Sequence, residues 1–517
     1  MGFVYGKDYL TASKALQIAR NQIKGIFEQE TRTVVEKSYQ AVVSIGRGDV
    51  AVYGINTGFG PLCNTVISKE NTSKLQENLL LSHSVGVGNP VPIEVSKLML
   101  ILKAHALCKG YSGISPEIID RILWHIDNDI IPVVPEQGSV GASGDLAPLS
   151  HLFLPLLGHG EVYSQGKRMP SQEALDLYGF KPITLHPKSG LALINGTQFI
   201  AAHAVLVVET LHSCLSHADL IATMMIEGLE GSPSPFDPNL HKVRPHKGNL
   251  YVTHRINHML AGSAIVDSHK GCEKVQDPYS LRCIPQVHGA SRNAWHHLKE
   301  VLEIEINSVT DNPIIINQDY TISGGNFHGQ PLAMPLDYAC LAAAELGSIS
   351  DRRSYLSLEG SRGCTPKLLV ENIGLNSGFM ILQYTAAALV SENKGLCFPS
   401  SADSIPTSLG QEDHVSMGSI GSRKALRVCY NLEKILAIEL LCAAQALDFR
   451  RPLKSTVTIE AAHRMIRDRV SHVTEDRIFS NDINKAIDLV KEKSLLTLGD
   501  VGERDTQHDL YSDFGVY

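Results

Sequence analysis

The 517-residue sequence lacks the cysteine spacing of a disulfide framework or of a structural zinc site. Its ten cysteines include no C-x-x-C pair, and several stand in apolar stretches such as residues 440–443. Isolated cysteines in apolar surroundings are typical of buried, reduced thiols. We therefore expect unpaired thiols and a cytoplasmic protein.

Excess basic charge and long uncharged apolar runs are also missing. Lysine and arginine number 46 against 54 aspartates and glutamates, which gives a formal net charge of −8. Proteins that bind nucleic acids usually carry a basic face, so no nucleic-acid partner is expected. A membrane helix needs roughly 18–20 apolar residues, and the best candidate, residues 435–447, contains Glu439. The N-terminus has no apolar signal core, and we expect no membrane segment.

Motifs that hold common cofactors are absent as well. The glycine-rich residues 138–145 lack the Lys-Ser/Thr of a P-loop, and no convincing G-x-G-x-x-G follows a strand. His254 and His258 have the i, i+4 spacing of a zinc pair, but no glutamate base stands between them. The sequence therefore predicts neither a nucleotide site nor a metal site.

Helical periodicity dominates what is present. Residues 1–110 predict a mixed N-terminal domain: a helix-like stretch at 13–28, a β-branched run at 33–35, and a strand at 49–53 that enters a glycine-rich turn. Residues 111–517 predict a helical domain, because apolar residues recur there at three- and four-residue spacing. Several helices are apolar on more than one face, which favours a long bundle with burial between subunits. The predicted long helices are 198–229, 289–307, 336–356, 375–393, 420–449 and 456–472.

A few polar residues stand out because glycine-rich or apolar residues surround them. Tyr53 leads into the glycine-rich turn 54–61, His83 follows an apolar run, and Asn195 follows residues 191–194. Similar polar segments occur at 276–282, 324–328 and 411–414. Taken singly, each is more often a buried, hydrogen-bonded group or a helix cap than a catalyst. Periodicity alone does not bring them together.

Read in order, these segments resemble the family of aromatic amino-acid ammonia-lyases, and most of all its histidine-selective members. The resemblance runs from Tyr53 to Asp448. The motifs that carry it are Tyr53-Gly54-Ile55-Asn56-Thr57-Gly58-Phe59-Gly60, Gly141-Ala142-Ser143-Gly144-Asp145-Leu146-Ala147-Pro148-Leu149-Ser150-His151 and Gly190-Leu191-Ala192-Leu193-Ile194-Asn195-Gly196-Thr197. The resemblance implies a mostly α fold, with a long central helical bundle of the fumarase/aspartase-like type and a smaller mixed N-terminal domain.

The resemblance also implies an electrophile made from the backbone, the 4-methylidene-imidazol-5-one ring (MIO), with no metal and no pyridoxal phosphate. Ala142, Ser143 and Gly144 suit its formation, because the Gly144 nitrogen can approach the Ala142 carbonyl without a side chain in the way. Loss of the Ser143 hydroxyl as water then leaves the exocyclic methylene. Asp145 and Pro148 indicate a helix start just after the triplet, whose positive pole favours electron flow into the ring.

Other roles carry over by position. Tyr53 resembles the family's general base, and Arg282 resembles the bidentate anchor of the substrate carboxylate. The residues that resemble groups around substrate and ring are Asn195, Gln276, Tyr279 and the aromatic Phe327. For Gln276 and Phe327 a structural interpretation also remains open, since Gln276 as an amide cap and Phe327 as a core aromatic would look identical in the sequence.

Two positions indicate the substrate. His83 resembles the histidine-selective pattern. Glu412, in Gln411-Glu412-Asp413, resembles the carboxylate that receives an imidazole. Phenyl- and phenol-selective relatives usually have Asn-Gln-Asp at these three positions. One departure is Gly329-Gln330-Pro331, where histidine-selective members tend to have Ala-Glu-Pro; the sequence here is closer to tyrosine-selective enzymes and aminomutases.

The expected activity is conversion of L-histidine to trans-urocanate and ammonia by a homotetramer with shared active sites. The alternatives are a tyrosine ammonia-lyase or aminomutase on the same scaffold, a lyase of the fumarase/aspartase type without MIO, and a non-catalytic helical assembly or amino-acid-binding protein.

Overall fold

Helices make up most of the computed structural model, which describes residues 2–48, 51–58, 60, 67–68, 71–271, 275–360, 365–498 and 510–517. Twenty α-helices lie within these residues: α1 (Ala12–Ala19), α2 (Gln29–Arg47), α3 (Thr72–His83), α4 (Ile93–Leu107), α5 (Pro116–Asp127), α6 (Leu146–Phe153), α7 (Ser171–Leu177), α8 (Ser189–Ile194), α9 (Gln198–Gly228), α10 (Pro238–Lys242), α11 (Lys247–Leu260), α12 (Ala264–Ser268), α13 (Tyr279–Arg282), α14 (Ile284–Ile306), α15 (Gln330–Leu358), α16 (Met380–Leu396), α17 (Gly418–Asp448), α18 (Val457–Arg467), α19 (Phe479–Lys491) and α20 (Leu510–Phe514).

Strands are short and pair in four small sheets of the described chain. Their bounds are β1 (Phe3–Val4), β2 (Gly25–Ile26), β3 (Val87–Pro90), β4 (Ile131–Pro132), β5 (Pro135–Gln137), β6 (Glu161–Ser164), β7 (Lys167–Pro170), β8 (Ile314–Asn317) and β9 (Tyr320–Ile322). β1 pairs with β2 in parallel, and the antiparallel sheets are β3–β5, β4–β6–β7 and β8–β9. The predicted mostly α class is confirmed.

The long helices predicted from periodicity are confirmed. α9 and α17 match their predicted ranges to within two residues, and the other four differ by no more than six residues at either end. Helix type in such long periodic segments is decided by burial of the apolar residues, whereas the ends depend on local capping, which periodicity does not report.

The N-terminal region departs from the prediction. The β-branched residues 33–35 lie inside α2, because Thr31, Val35, Ser38 and Val42 form a buried face at helical spacing and tertiary burial overrides β propensity. The helix-like stretch 13–28 ends at Ala19 and is followed by β2. The predicted strand 49–53 is also wrong where it is described: residues 51–52 have no regular structure and Tyr53 begins a turn, while residues 49–50 lie outside the described chain.

The chain divides into two compact units. Unit 1 comprises Met1–Leu206, Lys299–Asp337 and Pro399–Arg423. Its interior is built around α4, whose residues from Val95 to Leu107 are all buried and which packs against α1 and α5. The division into units does not test the predicted domain boundary near residue 110, which stays a prediction.

Unit 2 comprises Val207–Leu298, Tyr338–Phe398 and Lys424–Tyr517. Buried charges join its helices: the Asp219 carboxylate accepts hydrogen bonds from Arg255 (3.1 Å), Arg292 (2.5 Å) and His288 (2.8 Å). Burial alone would raise the pKa of Asp219, but these three neighbours hold it well below its usual range.

Two helices, α9 and α15, are long and apolar enough to cross a membrane by length and composition. In α9, 94% of the most apolar window is buried inside the protein, which is typical of a core helix. Glu209 and Asp219 interrupt its sequence, so no uncharged run of membrane length is evident. No disulfide joins any two of the seven cysteines in the described residues, and five of those seven are buried.

Candidate active site

A cavity of about 880 Å³ in unit 1 collects four of the residues singled out in the sequence. Tyr53, His83, Ser143 and Glu412 all line it, although they come from separate parts of the chain. The rest of the wall is largely apolar, with side chains from α3 and α8. A mostly apolar cavity with a few convergent polar groups is the usual form of a small-molecule site.

The backbone of the Ala142-Ser143-Gly144 triplet is bent sharply at the edge of this cavity. Ser143 has φ +51°, which is uncommon for a residue with a side chain, and Gly144 has φ +78°. A Cβ on Gly144 would stand 2.2 Å from the carbonyl oxygen of Gly196, so only glycine fits. The other two residues of the triplet, Ala142 and Gly144, line an adjoining cavity of about 260 Å³.

Asp145 anchors the triplet to the start of α9. One carboxylate oxygen accepts hydrogen bonds from the amides of Phe199 (3.1 Å) and Ile200 (3.0 Å), and the other accepts from the Ser139 hydroxyl (3.2 Å). The Asp145 amide donates to the Gly196 carbonyl oxygen (2.7 Å). Complete burial raises the pKa of Asp145 to about 7, despite these donors. Asp145 also stands at the N-cap of α6, as predicted.

Asn195 holds the triplet from the other side. Its side-chain amide donates to the Ser143 carbonyl oxygen (3.1 Å), and its own backbone carbonyl accepts from the ammonium of Lys103 (2.6 Å). Asn195 is buried, and its Oδ1 atom has no hydrogen-bond partner. A buried polar atom without a partner is rare in protein interiors and is a feature of sites that receive a ligand.

Tyr53 reaches the cavity from a turn over residues 53–56. Gly54 in this turn has φ +74°, and a Cβ there would stand 2.5 Å from Leu191. The Tyr53 hydroxyl lies 3.5 Å from the Gly60 amide. Phe59 and Pro61 of the predicted glycine-rich turn lie outside the described residues.

Glu412 and His83 form the polar part of the wall beside Ser143. One Glu412 oxygen accepts from the Ser143 hydroxyl (2.8 Å), and the other accepts from Ser408 (2.5 Å) and Thr407 (3.3 Å). Burial lowers the pKa of His83, while the Glu412 charge opposes that shift. The pair therefore presents one fixed anionic acceptor and one imidazole to the cavity.

Three of the predicted site residues lie in unit 2. Tyr279 is 70% exposed, and the Arg282 guanidinium stacks on its ring with Cζ 4.5 Å from the centroid. The Arg282 Nε atom is buried without a partner. Gln276 is exposed and lines a second cavity, of about 240 Å³, within unit 2; Ser232 and His269 also line this cavity. None of the three is among the described residues that line the cavity of about 880 Å³.

Phe327 and the Gly329-Gln330 departure belong to unit 1. Phe327 is half-buried in the loop before α15 and is not among the residues that line the large cavity. A Cβ on Gly329 would stand 2.6 Å from Cδ1 of Ile200, the far end of a side chain that can move, so packing does not require glycine there. The Gln330 amide donates to the Ser401 carbonyl oxygen (3.1 Å).

Sequence reasoning missed Lys103 and Ser408 and gave Asp145 only the role of a helix start. Lys103 did leave a signal, since it is a lone charge within the apolar run 98–102 and 104 of α4. Ser408 left none, because its contact with Glu412 depends on a turn in which Ser408 and Leu409 both have positive φ.

Known proteins define the class to which this fold and site belong. The chain matches the aromatic amino acid lyase family over residues 10–468. It therefore belongs to that family and is a carbon–nitrogen lyase, which removes the non-catalytic alternative.

Among individual relatives, histidine ammonia-lyase of Myxococcus xanthus is 46% identical over 490 residues, 95% of this chain and 96% of the relative. The crystal structure of histidine ammonia-lyase from Trypanosoma cruzi superposes with a TM-score of 0.91 at 38% identity and covers 100% of this chain and 98% of that one. Tyrosine aminomutase from Streptomyces globisporus also superposes with a TM-score of 0.91, at 32% identity, over 96% and 98% of the two chains.

Proposed function

We propose that this lyase eliminates ammonia from L-histidine and releases trans-urocanate. The observation that carries the proposal is the cavity that Tyr53, His83, Ser143 and Glu412 share. An imidazole ring has an N–H donor at one nitrogen and an acceptor at the other. Glu412 is the acceptor for the N–H, and His83 is the polar partner of the other nitrogen. A phenyl ring in the same place would offer no N–H to the Glu412 oxygen that faces the cavity, so that polar contact would be lost.

The triplet supports MIO as the electrophile. Positive φ at Ser143 and Gly144 bends the backbone back on itself, and the close approach of Gly196 explains why no side chain stands at Gly144. The buried, unpartnered Oδ1 of Asn195 beside the triplet is consistent with a polar group still to be received there. Once formed, the ring supplies a methylidene carbon that accepts an electron pair and so makes the amino group a better leaving group.

The chain's own side chains divide the remaining work. The Tyr53 side chain, as a phenolate, accepts the β-proton of the substrate. Arg282 binds the substrate carboxylate through two parallel N–H donors, and its unpartnered Nε is available for such a contact. Tyr279 and Gln276 orient the substrate and the MIO ring, and Phe327 packs beside the ring. The Asn195 side-chain amide donates a hydrogen bond to the Ser143 carbonyl oxygen.

Two further features belong to this proposal: a cytoplasmic homotetramer, and active sites shared between its subunits. Gln276, Tyr279 and Arg282 belong to unit 2, whereas the residues that line the cavity belong to unit 1. Large apolar side chains of unit 2 are exposed in the single chain, which is typical of surfaces that another protein covers. They include Val275 at 94%, Phe398 at 81%, Tyr384 at 59% and Leu341 at 52%.

The second candidate is a tyrosine ammonia-lyase or aminomutase on the same scaffold. The similarity to a tyrosine aminomutase at 32% identity and the Gly329-Gln330-Pro331 sequence favour it. The cavity nevertheless holds Glu412 and His83, which suit an imidazole ring, so the histidine assignment is the stronger one.

Intact-protein mass spectrometry tests the chemistry on which both candidates depend. Formation of the ring removes two waters, so the wild-type mass is expected below the sequence mass by that amount. Ser143→Ala should abolish both the deficit and nearly all activity. A wild-type enzyme that is active at the unmodified mass would refute the proposal.

A further inference from the structure

Lys103 is a buried cation beside the proposed site, and it has an unusual partner. It lies on α4 with 1% of its surface exposed, and its ammonium donates to the backbone carbonyl oxygen of Asn195 at 2.6 Å. Among the described residues, Lys103 takes part in no ion pair. Lys188, which is equally buried, differs in that its ammonium contacts the Asp311 carboxylate at 2.6 Å.

A buried ammonium that contacts only a neutral carbonyl lowers the stability of the fold. Removing a charge from water is strongly unfavourable unless an opposite charge compensates it. Burial lowers the pKa of Lys103 to about 8. The charges of Asp311 and Asp145, which lie farther away, oppose this shift, whereas the charge of Lys188 adds to it. Arrangements of this kind are found preferentially at functional sites.

The contact of Lys103 continues directly to the triplet. The Asn195 residue that accepts from Lys103 donates through its side-chain amide to the Ser143 carbonyl oxygen (3.1 Å). In the closed ring, this oxygen is conjugated with the methylidene carbon. Negative charge therefore develops on the Ser143 oxygen when an electron pair enters at that carbon, and donors aimed at such an oxygen are effective in a dry site.

We infer that Lys103 is a positioning residue for the elimination: it fixes Asn195 so that the side-chain amide stays aimed at the Ser143 carbonyl oxygen, and its charge favours the negative charge that develops there. Asn195 makes the contact with the triplet, and Lys103 acts through it. This inference rests on the proposed function, because it assigns no role to Lys103 unless the ring forms.

The test compares Lys103→Met with Lys103→Arg, which keeps the charge, and with the control Lys97→Met. Lys97 lies on the same helix and is 3% exposed, but its ammonium contacts Asp129 (2.5 Å) and Asn21 (2.7 Å) instead of the site. Each full-length variant is first weighed by mass spectrometry for the loss of two waters.

The decisive readout is the rate at which cyanide adds to the protein. A bond forms from the cyanide carbon to the methylidene carbon, the displaced electron pair goes to the Ser143 oxygen, and a solvent proton completes the addition. The protein thus gains the mass of one hydrogen cyanide. This rate reports the electrophilic character of the ring without substrate, and a purely structural role of Lys103 would leave it unchanged.

Lys103→Met is expected to keep the two-water deficit, to add cyanide about tenfold more slowly, and to lose about tenfold in kcat with a smaller change in KM, less than the roughly 10²-fold loss of a whole oxyanion donor because Asn195 remains. Lys103→Arg should recover most of both rates, and Lys97→Met should match the wild type. If Lys103→Met does not fold, Lys103→Gln takes its place with the same expectations.

Three results separate the possibilities. A wild-type protein without the deficit would contradict the proposed function itself. A folded Lys103→Met or Lys103→Gln with the deficit and the wild-type cyanide rate would overturn the role of Lys103 alone. A folded neutral variant without the deficit would also overturn it, since Lys103 would then act in forming the ring and not in the elimination.

Discussion

At the residue scale, the site depends on side chains whose partners fix them before any substrate arrives. Glu412 is held by Ser408 and Thr407 through one oxygen, which leaves the other to face Ser143 in the cavity. Pre-set donors and acceptors of this kind cost no reorganisation during reaction and provide selectivity among similar substrates.

The first prediction concerns Tyr53. Tyr53→Phe keeps the ring that packs in the turn but removes the hydroxyl that takes the β-proton, so kcat should fall by at least about 10²-fold, the lower range for a lost general base. The thermal midpoint and the two-water mass deficit should match those of the wild type. If turnover stays within a few-fold of the wild-type value, Tyr53 is not the base and another residue must take the proton, with Tyr279 as the first candidate.

A second prediction concerns Glu412. Glu412→Gln removes the anionic acceptor but keeps the shape of the side chain, so turnover of L-histidine should drop strongly while the mass deficit persists. A site that pairs a substrate N–H can discriminate by about 10⁴-fold against rings without one. Asp413→Asn is the matched control, because Asp413 is adjacent but exposed. Equal turnover in the two variants would remove Glu412 from substrate recognition.

At the element scale, the start of α9 and the triplet form one connected structure. Asp145 binds the first free amides of a 31-residue helix through its side chain and the Gly196 carbonyl through its own amide. The first amides of a helix have no partner within the helix, so a carboxylate from elsewhere in the chain satisfies them. The triplet is thereby tied to the longest buried element next to it.

This arrangement predicts a specific dependence of stability on pH. Burial raises the pKa of Asp145 from 3.8 to about 7, so between these values the folded protein holds a proton that the unfolded chain has released. The free energy of unfolding should therefore fall as the pH rises through this window, by about 1.4 kcal/mol at most for each unit of pKa shift.

Urea unfolding of wild type and Asp145→Asn at two pH values, about 5 within this window and about 8 above it, measures most of this effect. The asparagine keeps an oxygen acceptor but does not titrate, so its stability should decline less than that of the wild type over the same interval. An identical decline in both proteins would mean that Asp145 does not titrate in this range.

The elements also mark what sequence can and cannot predict. The long helices were predictable because apolar residues recur at three- and four-residue spacing along α9 and α17, over runs too long for strands. The turn at Tyr53 was misread as the end of a strand, and residues 33–35 were misread by their β propensity, because tertiary burial decides such short segments. Tyr53, His83, Ser143 and Glu412 were predictable only through a resemblance, since their meeting depends on contacts between residues as far apart as Ser143 and Glu412.

At the scale of the whole molecule, assembly determines whether the proposed site is complete. Tyr53 and Ser143 line one cavity of one chain, whereas Tyr279 and Arg282 lie in the other unit and Tyr279 is largely exposed. In the proposed homotetramer, a second subunit supplies Tyr279 and Arg282 to the cavity of the first. Closed symmetric assemblies can form such composite sites repeatedly.

Mixed tetramers test this arrangement. Ser143→Ala and Arg282→Met subunits should each be inactive alone, but co-expression should restore partial activity, because some sites then combine an intact triplet with an intact arginine. Light scattering after size exclusion should give the mass of four chains. Mixed tetramers that stay inactive, or an active monomer, would contradict shared sites.

The most direct measurement of the central claim is product identification. Purified enzyme is incubated separately with L-histidine, L-tyrosine and L-phenylalanine at matched concentrations, and the products are quantified over time by chromatography and mass spectrometry. Glu412 and His83 predict that urocanate forms from L-histidine far faster than coumarate or cinnamate forms from the other two. Coumarate that forms from L-tyrosine faster than urocanate forms from L-histidine would contradict the assignment and favour the tyrosine branch.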